Sequence, residues 1–443
     1  MSDPDSRTPV IAVLRAAGIG DPPALIARLT ASWPEGALPD GVLDALATTP
    51  DPALAVAGVG RLRDAVPDAL AGAASDPGQG AALVQLLGAS NLMVRWLVAE
   101  PRSWRSVLDA GEARTPITTL EPRPAPSADV APDVLARELR GFKRRRILSI
   151  AARDLLGRAT LVETTRELSQ LAEDALEVAV AAVRLRLIAA HGDVLDAEGR
   201  PLGFCVLGMG KLGGQELNFS SDIDLVYVYG DGGSDSTGGP RGPLSAREFM
   251  SRLAEGVTSA LHKATDEGFV FRVDLRLRPE GTNGPIVNSA ANALLYYESW
   301  GQTWERAAYL KARPVAGDHA LGTTLLQDLE PFVYRRYLDY ATLEDLKQMK
   351  AKVKRALAAG PEKGINVKLG RGGIREVEFV IQSLQLVHAG KDERIRERNS
   401  LRALERLVET RYLTAADSLR LAEAYRFLRD VEHKIQLVDE RQT

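Results

Sequence analysis

Cysteine is almost missing from this chain. Cys205 stands alone among 443 residues, which excludes an internal disulfide framework and any zinc cluster built on thiolates. Histidine is scarce too, and five residues leave little room for a His-ligated metal. No apolar run approaches membrane-spanning length, and Met1 to Pro9 is polar and acidic rather than basic and then apolar. Neither a spanning helix nor a signal peptide is therefore expected, and with the lone thiol this points to a reducing cytoplasm. Surplus charge is also lacking: 56 Lys and Arg against 59 Asp and Glu leave a net charge of -3. Such a balance gives no basic field for nonspecific nucleic-acid binding, so any phosphate ligand must be gripped locally.

What is present is the composition of a helix-rich globular protein, 45% hydrophobic and 26% charged, and 443 residues exceed what one core usually organises. Apolar residues at helical spacing, broken by Pro and Gly, run from about Asp21 to Asp109. Five prolines between Thr115 and Pro132 then mark a linker or a long surface crossing. Leu135 to His191 reads as two long helices. After them the period changes to that of strands at Phe204–Gly208, at Ile223–Tyr229 and at Val270–Leu277, with a helix from Ala246 to Asp266 between the last two. Helical spacing resumes beyond Asn288, interrupted near Gly360 to Gly373. The expected class is α+β, mostly helical, with a small sheet flanked by helical regions. The expected partition is a helical region with its Pro-rich linker over 1–130, a sheet-bearing domain over 131–335 and a helical bundle over 336–443.

The chemistry is concentrated in Gly208-Met209-Gly210-Lys211-Leu212-Gly213-Gly214 through Ser220-Ser221-Asp222-Ile223-Asp224-Leu225. Gly208-x-Gly210-x-x-Gly213 after a strand matches a dinucleotide fingerprint, but the acids follow too soon for the helix and crossover that fold requires. A P-loop is excluded because no Gly-Lys-Ser/Thr follows the glycines. On a strand, Asp222 and Asp224 share a face while Ile223 and Leu225 take the other. Two neighbouring carboxylates repel, and a divalent cation relieves that repulsion; Mg²⁺ characteristically takes one or two carboxylates plus phosphates. Gly213 and Gly214 would let backbone amides approach an anion, with Lys211 and Ser221 beside them. In Arg272-Val273-Asp274-Leu275-Arg276-Leu277-Arg278, alternation puts Asp274 on a face with Arg272, Arg276 and Arg278, a third acid with guanidinium clamps. The plain alternative for these charges is a salt-bridged exposed face.

This pattern is similar to the DNA polymerase β-like nucleotidyltransferase superfamily. More narrowly, the glycine motif, Leu275-Arg276-Leu277-Arg278-Pro279 and Gly372-Gly373-Ile374-Arg375-Glu376-Val377-Glu378-Phe379 together resemble the glutamine synthetase adenylyltransferase family over most of residues 135 to 440. The likeness is to the N-terminal, deadenylylating half of a bifunctional enzyme. It implies phosphorolysis of an adenylyl-tyrosine on glutamine synthetase to give ADP, and Mg²⁺ held by Asp222, Asp224 and Asp274. It implies phosphate contacts by Lys211, Gly213, Gly214, Ser221, Arg272, Arg276 and Arg278. The implied partners are glutamine synthetase, ADP or ATP, phosphate and a PII signalling protein in its uridylylated form, with neither nucleic acid nor membrane. Two other readings stay open: a forward adenylyltransferase using ATP, and a nucleotide-binding regulatory module. By the same likeness the chain reads as a fragment ending at Thr443.

Four further features have bland readings. The run Lys143-Arg144-Arg145-Arg146 is expected to be a solvated helix face, and Trp300 and Trp304, four apart, to lie in a helix core. Gly370 to Gly373 is expected to be a turn before a helix from Glu376 to His388, and the turn-rich gap Gly230 to Gly242 to be a mobile lid or simply disordered.

Overall fold

A computed structural model of the chain describes residues 4–100, 103–112, 123–265, 268–336 and 366–439. Residues 115–122 of the expected linker, Asp266 and the stretch 337–365 with Gly360 lie outside the described residues. The chain forms two compact units, each assembled from separated stretches: Met1–Pro122 with Arg144–Glu167 and Glu432–Thr443, and Arg123–Lys143 with Leu168–Val431.

In the first unit the prolines that interrupt the helical pattern start helices rather than break them. Asp21, Asp51 and Asp76 each precede a proline, and their carboxylates accept from Ala24, Leu54 and Gly78 N–H respectively. Proline at the first helical position gives up no hydrogen bond, and an Asp cap satisfies an amide the helix cannot. Leu29, Val59, Leu62 and Leu87 from these helices are buried. The unit also buries polar groups: Arg153 pairs with Glu167, while Asp154 accepts from Thr164 Oγ1 at 3.0 Å and from Lys434 Nζ at 2.7 Å.

The second unit holds a mixed five-stranded sheet: β1 (Phe204–Gly208), β2 (Ile223–Tyr229), β3 (Val273–Asp274), β4 (Val287–Ser289) and β5 (Arg313–Gly317). β1 lies between β2 and β5, antiparallel to both, and β2 runs parallel to β3 at one end and to β4 at the other. Its core gathers Cys205, Leu207, Val226 and Val228 under Tyr297, Tyr309 and Phe332. Helices Pro132–Leu155 and Leu161–His191 match the two long helices expected. Helix Ala246–His262 ends just short of its expected limit, and helix Ile374–His388 follows the Gly370–Gly373 turn as expected. The α+β class is as read from the pattern. Among the described residues no single helix is long and apolar enough to cross a membrane.

Four expectations are corrected. The strand over Val270–Leu277 shrinks to Val273–Asp274, because Arg276 N–H turns back to Asp274 Oδ1 at 2.9 Å and ends the extended run. Trp300 and Trp304 are 72% and 44% exposed, since Gly301 ends one helix between them and they never share a core face. Lys143 and Arg146 are buried rather than solvated. Lys143 Nζ lies 5.1 and 5.4 Å from the Phe269 and Phe271 rings. The 230–242 loop is tied to the end of helix Leu161–His191: Ser236 Oγ donates to His191 O at 2.7 Å and Arg241 N to Ala190 O at 2.9 Å. Strands β4 and β5 were not anticipated; they are short, and Pro314 sits within β5.

Candidate active site

The acids stand at the start of β2, on the row that two residues later becomes core. Register pairs Leu207 with Val226 and Cys205 with Val228, so Asp222 and Asp224 continue a face whose later members are buried. Ile223 and Leu225 on the opposite face are buried, as alternation requires. The parallel pairing of β2 with β3 sets Asp224 directly beside Asp274. Three carboxylates from two strands are thus neighbours, although they are distant in sequence.

Their environments differ. Burial pushes Asp224 up to about 6, with the Asp274 and Asp222 carboxylates adding to the shift and Arg276 and Lys211 opposing it. Gly210, at φ 49°, sits over this carboxylate, and a Cβ there would fall 3.1 Å from Asp224 Oδ2. Arg276 grips Asp274 through Nε at 2.8 Å and holds it below the usual carboxylate range. Arg272 Nε donates to Asp222, its Nη2 donates to Ser220 O at 2.7 Å, and its guanidinium lies 5.1 Å from the Phe269 ring.

Not every expected residue faces this cluster. Arg278 donates to the carbonyls of Leu275 at 2.9 Å and Gly284 at 3.1 Å, so it braces the 279–285 turn. Ser221 Oγ accepts from Asn218 N–H at 3.3 Å and closes a turn. Gly213 and Gly214 are buried, and their amides donate to Met209 O at 3.1 Å and Gly210 O at 3.0 Å, inside the short helix Gly210–Gly213 and its cap. They have no N–H left for a phosphate. Their smallness serves packing instead: a Cβ on Gly213 would fall 1.8 Å from Lys311 O. Lys211 is half-buried on that helix, and its charge lowers Asp224.

A buried polar node behind the glycines had no sequence signal. Lys311 Nζ donates to Glu216 and, at 3.0 Å, to Ser400 Oγ; Ser400 N–H donates to Glu216 Oε1 at 2.6 Å. Arg429 Nη2 donates to Glu216 O at 2.6 Å, and Asn399 Nδ2 to Gly214 O at 3.2 Å. Glu216 and Lys311 are 95 positions apart, so no local spacing joins them.

Among the described residues no three His, Cys, Asp or Glu side chains converge to hold an ion as they stand, since Asp222 and Asp274 are drawn onto Arg272 and Arg276. The donor set nevertheless suits a hard divalent cation. It is all carboxylate oxygen, and its most buried member is pushed upward partly by unrelieved repulsion from the other two.

The glutamate-ammonia ligase adenylyltransferase family description matches residues 80–328, more than half the chain, and the chain belongs to that family. A second description, GlnD PII-uridylyltransferase, matches residues 343–443. Proteins named bifunctional glutamine synthetase adenylyltransferase/adenylyl-removing enzyme are similar to it. The one from Thioalkalivibrio sulfidiphilus is 44% identical over 366 residues, 82% of this chain and 37% of the relative. The one from Nitrosococcus oceani is 46% identical over 306 residues, 69% and 31% of the two chains. That from Pseudomonas aeruginosa is 46% identical over 314 residues, 70% and 32%. The chain thus spans about a third of the length of these relatives.

Proposed function

We propose that this chain removes AMP from an adenylylated tyrosine of glutamine synthetase by phosphorolysis, releasing ADP. The observation that carries the reading is the register of β2 and β3, which sets Asp224 beside Asp274 with Asp222 on the same row. A phosphate oxygen attacks the α-phosphorus, the bond from phosphorus to the tyrosyl oxygen breaks, and the proton carried by the phosphate ends on the tyrosine. Asp222, Asp224 and Asp274 would hold Mg²⁺, which when bound neutralises charge on the entering and leaving oxygens.

The rest is the work of the chain's own residues. Arg272 anchors Asp222 and the Ser220 carbonyl, and so fixes the entry to β2. Arg276, mostly exposed, offers a guanidinium at the rim for phosphate oxygens. Lys211 adds a cation beside Asp224. Phosphate is already anionic near neutral pH, so no strong base is needed. The similarity of residues 343–443 to a PII-modifying family supports a PII signalling protein as regulatory partner.

The test is ADP release from adenylylated glutamine synthetase mixed with the chain, Mg²⁺ and phosphate. Release that requires phosphate and vanishes in Asp222→Asn with Asp224→Asn is the expected result. AMP incorporation from ATP into unmodified glutamine synthetase, without ADP release, would move the assignment to the forward adenylyltransferase, an activity also carried in the relatives' name.

A further inference from the structure

The second unit holds a cavity of about 240 Å³ between three helices. Helix Pro132–Leu155 presents Asp133, Ala136 and Arg140 on one face, as helical spacing dictates. Helix Leu161–His191 contributes Arg186, and helix Ala246–His262 contributes Ser259 and Ala260, with Lys263 at its end. The last two helices meet closely: a Cβ on Gly256 would fall 2.5 Å from Val183 Cγ1.

The lining carries three cations and one acid. That acid, Asp133, is largely exposed and lies 3.8 Å from Arg137. Arg186 Nη1 is fully buried with no hydrogen-bond acceptor, and neither Arg186 nor Lys263 forms an ion pair among the described residues. Burial alone draws Arg186 below the ordinary guanidinium value. A buried N–H without an acceptor destabilises the fold, and a bound oxyanion would supply the missing acceptor. Ala136 and Ala260 form an apolar wall with room for more than a bare ion.

We propose that this cavity binds a small oxyanion of the phosphate class, with Arg186 and Lys263 as its cationic contacts and the Ser259 hydroxyl beside them. Inorganic phosphate and the phosphate monoester of a small organic molecule share this chemistry. None of the lining residues belongs to the acid cluster, so the site is separate from the one assigned above.

Calorimetric titration of inorganic phosphate and, separately, AMP into the whole chain carrying Asp222→Asn and Asp224→Asn tests this with the acid site disabled. Saturable binding of either probe is expected, and the tighter of the two identifies the free ion or the monoester. Lys263→Glu and Arg186→Gln in that background should each weaken binding about ten-fold or more, the effect of losing one charge-assisted hydrogen bond. Lys263 is exposed, so Lys263→Glu keeps the fold, and an unchanged melting temperature in phosphate-free buffer checks it. No saturable heat with either probe, or unchanged affinity in Lys263→Glu, overturns the proposal. Because the acids are already removed, that failure says nothing against phosphorolysis.

Discussion

At the scale of single residues, the site depends on groups whose neighbours make them costly. Asp224 is held up to about 6 by burial and by Asp274 and Asp222, so a divalent cation has most to gain there. Mg²⁺ is expected to raise the melting temperature of the wild type and to leave Asp224→Asn unmoved. ADP release in that variant should fall by about a hundred-fold, the scale of a lost metal ligand or its support. Gly213 is a separate case. Its Cβ would strike Lys311 O, so Gly213→Ala should cost about 3 kcal/mol in urea unfolding even with saturating Mg²⁺, and a cost under about 1 kcal/mol would refute the packing role. The shared face of Asp222 and Asp224 was legible in the sequence because strand alternation is a local rule, and the strand that carries Asp274 because its flanking residues also alternate. The glycine pair was legible as important and misread in purpose, since the amides it was expected to offer are spent within its own helix and cap.

At the scale of elements, the turn after the short helix Gly210–Gly213 is pinned by residues from far along the chain. Lys311 precedes β5, Ser400 opens helix Ser400–Glu409, and Arg429 lies on helix Ala415–Asp439; all three converge on Glu216. Lys311→Met strands a buried carboxylate and should destabilise the protein by about 3–5 kcal/mol, whereas Lys311→Met with Glu216→Leu should recover most of the loss. Equal urea midpoints for the single and double variants would show that the pair is not coupled. No window of sequence could reveal this node, because its members are joined only by tertiary structure. Strand β3 shows the complementary failure. Its residues alternate well past Asp274, yet a side chain capping its own backbone ends the strand, and the Arg278 read as a phosphate clamp becomes a turn brace. Helices Pro132–Leu155 and Leu161–His191 were legible because their apolar spacing persists over many turns.

At the scale of the whole molecule, both compact units are discontinuous in sequence, which no reading of composition or linkers foresees. Within the first unit, burial raises Asp154, but His433 and Lys434 outweigh it and hold the carboxyl down to about 2 from 3.8. A carboxyl depressed on folding contributes stability above its unfolded value and loses it as pH falls through the folded one. The protein should therefore lose about 2 kcal/mol between pH ~4 and pH ~2, and Asp154→Asn should remove that part of the slope in urea midpoints measured across the range. Deleting the residues after Val431 removes Lys434 and the buried Leu437, and limited proteolysis should then cut first within residues 4–100.

Ser90 starts the helix Asn91–Ala99, and its hydroxyl donates to Leu437 O across 347 positions. A ribosome makes the first of these partners long before the second. The opening helices must therefore wait, incompletely packed, until almost all of this chain has been synthesised. For that interval, apolar side chains such as Leu92 and Leu97, buried in the finished unit, are open to solvent and to any chaperone that holds nascent chains.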